Sequence, residues 1–171
     1  MEYFGLIEDT IYPFKGINKK RRTVRAILVN HRNEIALLHI KGIDQFGDRD
    51  HYETPGGGIE DNEKFIDTLK REIKEEVGYS IKNIKNIGQI DIQYNLLNRI
   101  DEGYFYYAEV DKYIGVNLNE DEKILFHDIK WINIKNIDNF YLNSEVENVG
   151  KMIHKRDYFM IIKAKELGYF D

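Results

Sequence analysis

The feature that most constrains this chain is the break Pro55-Gly56-Gly57-Gly58, followed closely by a run with helical patterning. Phe65, Ile66, Leu69, Ile73 and Val77 recur at the spacing of a single buried helix face. Gly78 stands where a helix over about 62–77 would end, and Asn62 has the chemistry of an N-cap. Upstream, residues 23–29 and 34–40 are apolar runs separated by His31-Arg32-Asn33, a pattern that predicts a hairpin. A polar loop over 42–50 and a short extended piece over 51–54 lead into the break. Strands are expected near 84–95, 103–111 and 128–133, and a helical region over about 144–167. Strands on both sides of a central helix predict a mixed α/β sandwich. One domain spanning 1–171 is expected, with an N-terminal extension over 1–22.

The helix carries an arrangement that stability does not ask for. Glu72, Glu75 and Glu76 stand at i, i+3 and i+4, so they cluster on one side of its last two turns. At about 100° per residue, Glu76 projects between Phe65 and Leu69, inside the apolar stripe, and Glu72 lies at the stripe's edge. A carboxylate there is partly desolvated and costly unless it is paired or holds a metal. The helix dipole also disfavours negative charge near a C-terminus. A hard divalent cation resolves the conflict, because Mg²⁺ seeks oxygen ligands. The three glycines let the backbone bend sharply and pass close to such an ion and to phosphates.

Composition narrows the setting. The chain has 171 residues and a formal net charge of −5, which argues against the basic face of a general nucleic-acid binder. It has no cysteine, so disulfides and thiolate-bound zinc are excluded. No apolar run reaches the roughly 20 residues that a membrane-spanning helix needs, and the first residues do not read as a secretory signal. A cytoplasmic protein is expected, with neither membrane nor nucleic acid as a partner.

The stretch 57–79 resembles the Nudix box, in which Gly, five residues, Glu and seven residues precede Arg-Glu-apolar-x-Glu-Glu-x-Gly and a closing apolar residue. Gly57, Glu63, Arg71, Glu72, Ile73, Glu75, Glu76 and Gly78 all fall in register. With each fixed type near 7% of residues, a chance match is on the order of 10⁻⁸ per starting position, so coincidence is negligible. The single departure is Tyr79 at the closing, packing position. The flanking elements are placed as in that family from roughly 23 to 137, so the resemblance implies a Nudix-type α/β/α sandwich with a mixed central sheet.

The resemblance also implies roles. Glu72, Glu75 and Glu76 would hold Mg²⁺, with Mn²⁺ as the alternative, joined by the backbone carbonyl of Gly56. Arg71 would orient the carboxylates, and Glu63 would support the start of the helix. The general base would be Glu72 or a later loop glutamate, for which Glu120 and Glu122 are candidates before Trp131. The activity implied is metal-dependent hydrolysis of a nucleoside diphosphate linked to another group, nucleoside triphosphates included. The alternatives are ADP-ribose, sugar-nucleotide or dinucleoside-polyphosphate hydrolysis, or a nucleotide-sensing module that does not cut. The proline expected some 15 residues after the box in ADP-ribose branches is absent, and so is the coenzyme A signature.

Other residues are candidates on their own chemistry. Arg25 is a charge inside an apolar strand and needs a partner, for which a substrate phosphate is one choice. Lys41, Arg49 and His51 flank the glycine turn, the first two as candidate substrate contacts. Tyr94 resembles a position in the dinucleoside-polyphosphate branches. Lys19-Lys20-Arg21-Arg22 reads as a solvated run before the first strand. The five histidines show no metal-ligand spacing, and His39 reads as a core or pocket-wall residue. The aromatic run 104–107 reads as core. A small nucleotide is the expected partner, with a homodimer as an open possibility of assembly.

Overall fold

A computed structural model describes residues 1–170. The chain order is β1 (Tyr3–Ile7), β2 (Lys19–Val29), β3 (Glu34–Asp44), β4 (Gly47–Glu53), β5 (Gly56–Gly58) and α1 (Phe65–Glu76). It continues through β6 (Tyr79–Tyr94), β7 (Arg99–Tyr113), α2 (Glu120–Leu125), β8 (Phe126–Asn133), α3 (Ile137–Asn143) and α4 (Gly150–Glu166). The strands form a mixed eight-stranded sheet in the order β1-β6-β7-β2-β3-β4, with β5 added to β2 and β8 to β3. The β1–β6 and β2–β7 pairs are parallel, and the others are antiparallel.

Strand alternation builds two cores. Val24, Ala26 and Leu28 of β2 and Tyr106 and Ala108 of β7 pack with Leu69, Ile73 and Val77 of the α1 layer. Ile27 and Val29, with Phe105 and Tyr107, face the opposite side and meet Met160 and Ile161 of α4. The aromatic run 104–107 thus splits between the two faces as strand geometry requires. Tyr79 packs edge-on against Tyr113 and Trp131 beside the α1 core. Among the described residues no helix is long and apolar enough to cross a membrane.

The sheet parts between β2 and β3, which pair only at Val29 and Ile35. Into that gap β5 inserts, setting Gly56, Gly57 and Gly58 opposite Arg25, Val24 and Thr23. Gly56 has φ 139°, and a methyl group there would lie 2.7 Å from the Arg25 Cα, so only glycine fits.

Four expectations are corrected. Asn62 does not cap the helix; it adopts a left-handed conformation (φ 66°) in the preceding turn, and α1 starts at Phe65 with no side-chain cap. Residues 1–22 are more than an extension, because β1 joins the sheet edge and β2 begins at Lys19. The polar stretch 42–50 is largely a hairpin, β3 running out to Asp44 and β4 returning from Gly47. The C-terminal helical region starts later than 144: residues 144–149 are non-helical, with Asn148 left-handed (φ 50°), and α4 runs from Gly150, while the separate short helix α3 precedes the expected region.

Candidate active site

Helix α1 lays its acids against the inserted glycines. Glu72 and Glu76 are buried, as their place in and beside the apolar stripe requires. The Gly56 N–H donates to Glu76 Oε2 at 2.8 Å. A methyl group at Gly57 would come within 2.5 Å of the Glu72 carboxylate carbon, so the bare backbone is what lets that carboxylate approach. Burial pushes the Glu72 carboxyl up, and neighbouring Arg71 only partly offsets this. Burial raises Glu76 well above the usual carboxylate range, and the Glu72 charge adds to it. A bound cation would offset the cost of ionising these two adjoining carboxyls.

Arg71 ties the acids together. Its Nε and Nη2 donate to Glu63 at 2.8 and 3.0 Å, and its Nη1 donates to Glu72 at 2.8 Å and Glu75 at 3.2 Å. The Arg71 hydrogen bond, with help from Thr68, lowers the Glu63 carboxyl to about 2. A depressed acid stabilises the fold above its ordinary value of 4.5, and that contribution is lost as pH falls through about 2. Glu63→Gln should therefore melt several degrees below the parent at neutral pH, with the gap closing as pH is lowered from about 4.5. A gap independent of pH, measured by thermal denaturation, would contradict this account.

Across the gap, α2 brings in Glu122. One oxygen each of Glu72, Glu75 and Glu122 lie within 4.8 Å of one another. Glu76 is set back from that trio in the same cavity, which has a volume of about 450 Å³. Glu122 also closes a capping box on α2, accepting from the Asn119 N–H at 2.8 Å while Asn119 accepts from its own. Glu120 does not reach the cavity: its side chain is 90% exposed and pairs with Lys123.

The cavity's other wall is cationic. Arg25 is half-buried, donating from Nη1 to the Thr54 carbonyl at 2.5 Å and to Glu53 at 3.3 Å. Arg156 of α4 is held through Nε by Asp157 at 2.7 Å, and Asp157 Oδ2 accepts the Thr54 N–H at 2.7 Å. Burial pushes the Glu53 carboxyl up, but Arg25, His51 and Arg156 outweigh it and hold it well below the ordinary range. Arg156 Nη2 and Arg25 Nε have no protein partner, although both atoms are buried. Tyr94 lines the same cavity, and Arg49 lines an adjoining recess with Glu53, Glu76 and Glu122. Lys41 lines neither recess; it is exposed and pairs with Asp50 at 3.3 Å.

Sequence reasoning missed Arg21 and Arg156. Arg21 is exposed, as expected of a solvated run, but it lies within β2 rather than before it, and its guanidinium covers Gly58 at the cavity mouth. Arg156 had a legible signal. Met152, Ile153, Met160 and Ile161 flank Arg156 and Asp157 at helical spacing, so both charges fall within the buried stripe of α4.

A family model described as NUDIX domain matches residues 19–153. No curated protein matches the chain closely enough in sequence to count as a relative. Similar solved structures include a NUDIX hydrolase from Nitrosomonas europaea, 16% identical with a TM-score of 0.65, covering 86% of this chain and 90% of that one. A MutT protein from Methanosarcina mazei Go1 is 14% identical with a TM-score of 0.61, covering 90% and 98%. A structure described as an ADP compounds hydrolase is 12% identical with a TM-score of 0.64, covering 90% and 74%. At these identities the likeness concerns the fold.

Proposed function

Because the chain belongs to the Nudix family of hydrolases, we propose that it cleaves the phosphoanhydride of a nucleoside diphosphate linked to a second group. Nucleoside triphosphates fall within that chemistry. The observation that carries this reading is the convergence of Glu72, Glu75 and Glu122 on one point, opposite a cationic wall. The donor set fits a hard divalent cation, since it is all carboxylate and includes Glu72, whose burial penalises its charge. Mg²⁺ is the ion proposed, with Mn²⁺ as the alternative. When bound, such an ion neutralises phosphate oxygens and makes water a better nucleophile.

The chain's own groups supply the rest. Arg71 fixes Glu72 and Glu75 in one orientation through a single guanidinium. Arg156 Nη2, buried and unpartnered, offers a charge-assisted hydrogen bond to a phosphate oxygen, and Arg25 adds positive charge beside it. Glu122 stands where it can take a proton from the attacking water. The water oxygen bonds to phosphorus as the bridging P–O bond breaks, and the bridging electron pair leaves with the departing phosphate. The proton passes to the glutamate.

A pyrophosphate can engage the carboxylate end and the arginine end of the cavity together, whereas a monophosphate cannot. Hydrolysis in ¹⁸O-labelled water should place the label on one internal phosphate fragment of an X-diphosphate. AMP and p-nitrophenyl phosphate should be poor substrates across a nucleotide panel with Mg²⁺. Turnover of either as fast as the best diphosphate would overturn the reading.

A further inference from the structure

A second group of metal-ligand side chains lies on the other face of the sheet. His39 of β3 stacks on Tyr52, which packs with the core beneath α3 and α4, whereas the box acids belong to the α1 face. In the β3–β8 ladder, Leu38 faces Ile129 and His39 faces Asp128, but Ile40 faces Phe126. His127 is thus the extra residue of a β-bulge. Without the bulge, His127 and Asp128 would point to opposite faces; a bulge re-aims one of them. One ligand atom from each of His39, His127 and Asp128 lies within 4.8 Å of the others.

The two ring nitrogens of His39 are differentiated. Nε2 lies 2.6 Å from Asp50 Oδ1, a hydrogen-bond distance that leaves no room for an ion between them. An ionised carboxylate only accepts, so Nε2 is the donor in that contact and Nδ1 is the nitrogen left to face an ion, which is how a carboxylate orients a histidine to bind metal. Nδ1 lies 3.5 Å from Asp128 Oδ1, beyond hydrogen bonding. A tetrahedron with bonds of about 2.0–2.1 Å has edges of about 3.3 Å, so this separation suits two ligands of one ion. His127 and Asp128 are exposed, leaving the fourth position open to solvent.

We propose that His39 Nδ1, His127 and Asp128 form a second cation site, distinct from the carboxylate site, that takes a borderline divalent ion such as Zn²⁺. Imidazole donors favour zinc over magnesium, so the two sites divide the ions by ligand chemistry. This inference does not depend on the substrate or on the box acids.

The test is Zn²⁺ titration of the full chain, freed of metal, with excess Mg²⁺ to occupy the carboxylates. Calorimetry should show one equivalent of saturable uptake, and Co²⁺ in its place should give the visible bands of a low-coordinate site, bleached by Zn²⁺. His127→Ala and Asp128→Asn should each weaken Zn²⁺ binding about 10–100-fold or more, and Asp50→Asn about 10–100-fold. Glu75→Gln should leave Zn²⁺ affinity unchanged. The exposed positions make misfolding easy to exclude, since Mg²⁺-dependent turnover should persist in His127→Ala. Absence of saturable uptake, or uptake that Glu75→Gln abolishes and His127→Ala spares, would overturn the site.

Discussion

Glu72→Gln should lower kcat by about 10³-fold or more at saturating Mg²⁺, the scale of several kcal/mol of lost charge stabilisation at about 1.4 kcal/mol per tenfold. Glu72 is the acid that the other elements share. It belongs to the carboxylate trio, receives Arg71 Nη1 and packs over Gly57. The amide keeps the shape and an acceptor for Arg71, so the fold should survive. Stability without metal should move the other way from activity. Burial, only partly offset by Arg71, raises the Glu72 carboxyl, so ionising it costs the folded state. An acid raised in the fold loses stability as pH climbs from its ordinary value of 4.5 through its raised one. Metal-free parent protein should therefore melt higher on acidification through that window, and the Gln variant should show less of that gain. Near-normal turnover with Mg²⁺ would remove Glu72 from the metal site.

Glu122→Gln should lower kcat by about 10²–10⁴-fold with little change in KM, as loss of a general base does. Glutamine also serves at the third position of a capping box, so α2 and its Asn119 cap should persist. Any loss then belongs to chemistry rather than to a melted loop. Glu120→Gln is the internal control. Its exposed side chain meets only Lys123, so that variant should match the parent. If both variants behave alike in steady-state kinetics, the proton goes elsewhere, and Glu72 is the remaining carboxyl of the cluster.

What could be read from the sequence was what is local or periodic. The α1 stripe and the depth of Glu76 follow from 100° steps along one helix, and the turn joining β2 to β3 from two apolar runs around it, although those strands pair only at Val29 and Ile35 and the expected ladder is split by β5. Contacts between distant segments could not be read this way. Nothing near Tyr3 announces that β1 will pair with β6, and nothing near His127 announces a bulge opposite His39. Asn62 shows local chemistry overruled by context: a good cap residue sits in a left-handed turn instead, and Glu63 turns to Arg71 and Thr68. Arg156 is another kind of miss, because the azimuth argument that exposed Glu76 applies equally to α4.

The grip on Thr54 has a consequence for how far the box can be treated as a portable cassette. The carbonyl of Thr54 is held by Arg25 and its N–H by Asp157, 103 residues away in the chain, immediately before the proline and glycines that fit beneath the acids. Asp157 and Arg156 lie beyond residue 153, where the family match ends. Part of the geometry of the most recognisable segment is thus imposed from outside the recognisable region. The same 23 residues grafted onto a scaffold with a different closing helix would keep their signature and lose the anchor that positions it.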